Sequence, residues 1–112
     1  RDRLGAWLVS AAAIAIGSAA YRDTAWITAM RDRLAREAAT LDTMLVSRGF
    51  VSTGTCPLFR LIESADAMAL FEHLARHAIL TRPFDYAPNW LRIGLPAEAA
   101  AQARLEQALI HA

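Results

Sequence analysis

The stretch ILTRPFDYAPNWLRIGLP, residues 79–96, decides how the rest of the chain is read. It sets Arg82 and Arg92 ten positions apart, each within a short apolar run, on either side of a loop that holds Pro83, Pro88 and aromatic rings. The runs AILT (78–81) and WLRIGL (90–95) read as short strands, being apolar and bounded by turn formers. A strand that ought to bury Leu and Ile thus gives a position to arginine, twice. A guanidinium is planar, always charged and suited to grip a carboxylate or phosphate through two parallel hydrogen bonds. The plainer reading is that each arginine lies at a strand end and reaches solvent, since a charge is rarely buried without a partner. From the residues alone both readings stand.

Upstream of that stretch, CPLFRLI (56–62) reads as a strand, with Pro57 at its start and Phe59 and Leu61 on one face. Asp66 is placed to cap a short helix whose apolar stripe is Met68, Leu70, Phe71 and Leu74. Downstream, a last helix is expected with Pro96 at its first position, burying Ala101, Leu105 and Leu109. Toward the N-terminus, Ser10 is expected to cap an Ala-rich helix reaching about Ala20, and Asp23 a second one. Trp26, Ile27, Met30, Leu34, Leu41 and Leu45 give the second helix its three- and four-residue spacing, and Gly49 ends it after Arg48. From Thr24 to Ser47 it would run roughly 36 Å, longer than so small a domain needs for itself. The order is helix, helix, strand, helix, strand, strand, helix. That predicts an α+β domain, a short three- to four-stranded, mainly antiparallel sheet covered by helices and preceded by a long helix. No internal repeat or low-complexity linker divides residues 1–112.

Composition narrows the function. A chain of 112 residues can bury a modest core but is short for an independent metabolic enzyme. It opens on Arg1, and is expected to be a piece of a longer polypeptide. A net charge of +1 argues against a nucleic-acid partner. All twelve basic residues are arginine, so no side chain here can form a Schiff base with a carbonyl cofactor. The single Cys56 excludes an internal disulfide, fits a reducing compartment and reads as a small apolar filler. Residues 4–21, LGAWLVSAAAIAIGSAAY, are uncharged behind Arg1 and Arg3, a layout akin to a signal peptide or a membrane span. Gly5, Ser10, Gly17, Ser18 and many alanines dilute the stretch. It is therefore read as a buried small-residue helix, with no membrane partner and a cytoplasmic location.

Other constellations are weaker. His73 and His77 stand four apart and could project from one helix face as metal ligands do, but no third ligand follows at suitable spacing, so no metal is assigned and both are read as solvated. Gly49 and Gly54 are isolated turn residues, STGT (52–55) is too short for a phosphate loop, and no serine sits in a nucleophile elbow. Trp7, Trp26 and Trp90 read as core or interface residues.

One resemblance spans essentially the whole chain. LGAWLVS (4–10) with its Ala-rich helix, RDRLAREAATLDTMLVSRGF (31–50), TCPLFRLI (55–62), LFEHLARHAILTRPF (70–84) and WLRIGLP (90–96) follow one another as in the C-terminal segment of fold type I pyridoxal-phosphate enzymes. The pattern is similar to the threonine-phosphate decarboxylases and related aminotransferases of cobalamin biosynthesis, which in turn look like histidinol-phosphate aminotransferases. ILTRPF and WLRIGLP are its most specific pieces. Where histidinol-phosphate enzymes tend to have Asn, this chain has Leu58. The resemblance implies a small domain of aminotransferase type, with pyridoxal phosphate, its lysine and the phosphate cup in a large domain of the same polypeptide. It implies that Arg92 binds the carboxylate of a phosphorylated amino acid and Arg82 its phosphate or the same carboxylate. It also implies a homodimer at full length, and an isolated segment that is inactive. Loss of carbon dioxide or amino transfer would follow from which Cα bond stands perpendicular to the cofactor ring, an angle the sequence does not give. A reading from another class is a stand-alone interaction module, with both arginines as rim charges and the Ala-rich helix as a docking surface.

Overall fold

A computed structural model describes residues 9–110, so Trp7 and the LGAW half of the first motif lie outside the described residues. The chain divides into two compact units, Arg1–Arg33 and Leu34–Ala112.

In the first unit, helix α1 runs Ala11–Arg22, and the Ser10 side chain accepts from the Ala13 N–H at 3.1 Å, as its N-cap role requires. Asp23 then works for two helices. Its own N–H closes α1 onto the Ala20 carbonyl at 3.2 Å, and its carboxylate accepts from the Trp26 N–H at 2.9 Å to start α2, Thr24–Ser47. The expected burial of α1 is not met within the described residues, where none of its side chains is buried. Trp26 is likewise 58% exposed.

The second unit holds the core. Antiparallel strands β1 (Ser52–Thr53), β2 (Phe59–Glu63), β3 (Arg82–Pro83) and β4 (Trp90–Gly94) form a sheet in the order β1-β2-β4-β3. Strand alternation assigns its faces. Ile62, Leu91 and Ile93 turn to the buried face, where they meet Leu41, Met44 and Leu45 of α2, Ala67, Leu70 and Leu74 of helix α3 (Ala67–Arg76), and Leu105, Ala108 and Leu109 of helix α4 (Ala99–Leu109). These residues form one apolar cluster, and the predicted α+β layer is the one observed. Polar ties join the helices: Arg48 pairs with Glu106 at 2.8 Å, and His73 Nε2 bonds the Ala108 carbonyl at 2.8 Å.

Several expected boundaries move. AILT is not a strand, because Ile79 N–H is still bonded to the Leu74 carbonyl that closes α3, and Ala78 has a positive φ of 57°. Pairing begins only at Arg82, just past this run, where β4 offers a partner. Cys56 and Pro57 precede β2 and do not belong to it. Pro96 is not the first residue of α4: the helix begins at Ala99, after an extended Glu98 whose carbonyl accepts from Gln102 N–H. Met68 is 50% exposed and Ala101 only half-buried, while Ala67 and Ala108 do the burying instead. β1 falls on Ser52 and Thr53, within what reads as a bare turn.

Candidate functional site

The sheet face away from the core is where the two arginines meet. Leu61 and Arg92 are partners across β2 and β4, and Arg92 and Arg82 are partners across β4 and β3. Ten residues of separation in sequence thus become direct cross-strand opposition, which brings Cβ atoms to about 4.5–5.5 Å. Two like charges in that position repel each other. Among the described residues, no carboxylate lies within ion-pairing distance of either arginine. What holds them is aromatic. The Arg92 guanidinium carbon stands 4.8 Å from the centre of the Phe59 ring, and that of Arg82 stands 5.8 Å from Phe84.

The loop between the strands fixes this register. Phe84 meets Trp90 edge-on at 6.3 Å and Tyr86 at 5.4 Å. The backbone turns through Ala87 N–H to Phe84 O and Trp90 N–H to Ala87 O. Trp90 Nε1 donates to Glu63 on the neighbouring strand at 3.1 Å. The aromatic residues between the arginines therefore pin β3 to β4, so that Arg82 falls opposite Arg92 and not beside it.

Around the pair opens a depression of about 450 Å³, lined among others by Leu58, Phe59, Leu80, Thr81, Arg82 and Arg92. Arg92, on a strand paired on both sides, is half-buried, and Arg82, on the edge strand, is exposed. Sequence reasoning missed Leu58, Phe59, Leu80 and Thr81 as companions of the arginines. Period-two alternation puts Phe59 on the arginine face once its register with β4 is known, but the two leucines lie outside the strands and carry no such signal.

A third arginine shows the opposite solution. Arg60 points to the core side and is buried, with its Nε 2.7 Å from Asp42 Oδ1 of α2 and its Nη1 2.7 Å from the Cys56 carbonyl. Ser52 also donates to Asp42 Oδ1. The buried Arg60 guanidinium thus has a carboxylate and a carbonyl as partners, whereas no ion pair of Arg82 or Arg92 is seen among the described residues. Cys56 is half-buried and serves through its backbone.

The histidines are not both solvated. His73 is half-buried against Ala108 O, and His77 Nδ1 lies 3.0 Å from the His73 carbonyl, which commits a ring nitrogen of each to backbone. Among the described residues, no group of three or more His, Cys, Asp or Glu is placed to hold a metal, and no helix is long and apolar enough to cross a membrane. With no lysine in the chain, no side chain here fits covalent attachment of a carbonyl cofactor.

The sequence profile of the family described as aminotransferase class I and II matches residues 1–109. The chain is similar to a threonine-phosphate decarboxylase of a Sinorhizobium species, 43% identical over 109 residues, or 96% of this chain. It is also similar to a threonine-phosphate decarboxylase of Pseudomonas aeruginosa, 37% identical over 109 residues, or 97% of this chain. It spans about a third of the length of these curated relatives, 32% and 33% respectively.

Proposed function

Because this chain belongs to the aminotransferase class I and II family, we propose that it is the substrate-clamping small domain of a pyridoxal-phosphate enzyme that releases carbon dioxide from O-phospho-L-threonine. The product, aminopropanol phosphate, would serve cobalamin biosynthesis, and the whole enzyme would act as a homodimer. The observation that carries this reading is the opposition of Arg82 and Arg92 with no carboxylate between them. A fold keeps two facing guanidinium groups unpaired only at a cost in stability, which a bound dianion offsets. An amino-acid phosphate carries two anionic groups on one small skeleton.

The roles divide by mobility. Arg92 is half-buried on a strand paired at both edges and rests on Phe59, so it suits the carboxylate, whose orientation decides which Cα bond is aligned to break. Arg82, exposed on the edge strand, suits the larger and more diffuse charge of the phosphate. The electron sink would come from pyridoxal phosphate, attached through a lysine outside these residues. The chain's own part is to bind, orient and shield the substrate.

The test is carbon dioxide release from O-phospho-L-threonine by the full-length enzyme supplied with pyridoxal phosphate. Arg92→Ala is expected to lower kcat/KM by about 100-fold or more, because misorientation at the reacting carbon costs that much, and Arg92→Lys should not restore it. Arg82→Ala should act mainly on KM. Thermal midpoints should not fall in either variant, since each relieves a like-charge pair. Amino transfer to a keto acid without carbon dioxide release would move the function to an aminotransferase. Turnover unchanged in both arginine variants would remove the clamp.

A further inference from the structure

Two leucines share the depression with the arginine pair. Leu58 lies in the turn before β2, one residue ahead of the Phe59 ring that supports Arg92, and Leu80 lies two residues ahead of Arg82. They are 58% and 87% exposed. An exposed leucine alone says little, because much of any protein surface is apolar. These two are informative through their company, since the segments leading into β2 and β3 each bring a leucine to the opening of about 450 Å³ that Arg82 and Arg92 also line.

Charge and apolar surface in one small site divide the work of recognition. The guanidinium groups take the anionic ends of a ligand and are indifferent to the carbon chain joining them. An apolar wall beside them reads that chain. We infer that Leu58 and Leu80 form an apolar rim that selects a substrate carrying a methyl group on the carbon that bears its phosphate ester. This rests on the function proposed above and goes further in naming what distinguishes the preferred phospho-amino acid from its nearest competitor. O-phospho-L-threonine and O-phospho-L-serine have the same two anions and differ by that methyl. A hydrophobic pocket separates ligands differing by one such carbon by about 10–200-fold.

The full-length enzyme with pyridoxal phosphate is assayed on both compounds, as wild type and as Leu58→Ala, Leu80→Ala and the double variant, with Leu58→Met as the conservative control. The wild type should prefer O-phospho-L-threonine in kcat/KM by at least about 10-fold. Each alanine should narrow the ratio through loss on the threonine compound, the double variant should bring it near one, and Leu58→Met should keep it. A leucine that merely packs against another part of the protein would lower activity on both compounds together, leaving the ratio unmoved, and that result overturns the inference. So does a wild type that treats the two alike. Turnover of neither compound would instead overturn the function it rests on, whereas a threonine preference insensitive to both leucines would sink the rim and leave the function standing.

Discussion

Ala78 holds a backbone angle, φ 57°, that L-residues with a Cβ adopt at a cost of about 1–2 kcal/mol. It does so because α3 ends as α2 does. At the end of α2, Phe50 N–H reaches Leu45 O at 2.9 Å and Gly49 N–H reaches Val46 O at 3.0 Å; at the end of α3, Ile79 N–H reaches Leu74 O at 2.9 Å and Ala78 N–H reaches Ala75 O at 3.0 Å. The motif demands a left-handed residue between helix and exit, and in both cases the next residue packs on the core. Gly49 meets the demand at no steric cost; Ala78 does not. Ala78 is exposed and loses no packing on truncation, so Ala78→Gly should raise stability by about 0.5–1 kcal/mol, net of the extra freedom glycine gains in the unfolded chain. Gly49→Ala should lower it by about 1 kcal/mol through backbone strain alone, since a Cβ there would meet nothing within 4 Å. Urea unfolding of both variants checks the pair, and a destabilised Ala78→Gly would refute the argument. The same contrast marks what a sequence discloses at this scale. Ser10, Asp23, Asp66 and Gly49 announce their capping roles by residue type, and each performs the one expected. Alanine announces nothing, so AILT reads as a strand where the structure has the exit of α3.

Between elements, the decisive fact is which face of the sheet is covered. Alternation in FRLIE shows that Phe59 and Leu61 share a face, but not that the helices cover the other one. The structure chooses by joining α2 to β2 through Asp42, which accepts from both Arg60 and Ser52. Sequence reasoning fixed on Arg82 and Arg92 and passed over Arg60, the arginine with the larger structural consequence. Its partner lies 18 residues away on a helix, with no spacing rule to connect them. Asp42→Ala would leave a buried guanidinium without its carboxylate and the Ser52 hydroxyl without its acceptor. The expected cost is about 2–3 kcal/mol, at the upper end for a hydrogen bond to a charged group, and tempered by the partial exposure of Asp42. Asp42→Asn keeps an accepting oxygen and should cost less. If denaturant unfolding gives both variants the midpoint of the parent, the network adds nothing to the fold. By fixing the phase of β2, this contact also puts Phe59 on the outer face, where it supports Arg92.

Across the whole chain, apolar surface is unevenly placed. Among the described residues, the second unit buries thirteen apolar side chains to 6% exposure or less, every one between Ala38 and Leu109. In the first unit Val9, Ile14, Ile16, Tyr21 and Trp26 are each at least 57% exposed, and α1 buries nothing. The sequence made this stretch look like a core helix, because small and apolar side chains without charge are what a buried helix uses; the composition names a demand for cover but not who provides it. A 12-residue helix is marginal in water without packing, and α1 and the residues flanking it leave five large apolar side chains uncovered. The 112-residue chain produced by itself should therefore associate through residues 9–26. Light scattering behind size exclusion should give a mass above 12.2 kDa that rises with concentration. A double Ile14→Glu, Ile16→Glu variant should return it toward the monomer, with the fold of residues 34–110 intact by circular dichroism and thermal unfolding. A chain that stays at 12.2 kDa at every concentration, with α1 protected in hydrogen exchange, would mean that the Ala-rich helix needs no cover. Association that survives the glutamates would shift the sticky surface to the open face of the sheet, where Leu58, Leu80 and Phe59 surround the arginines.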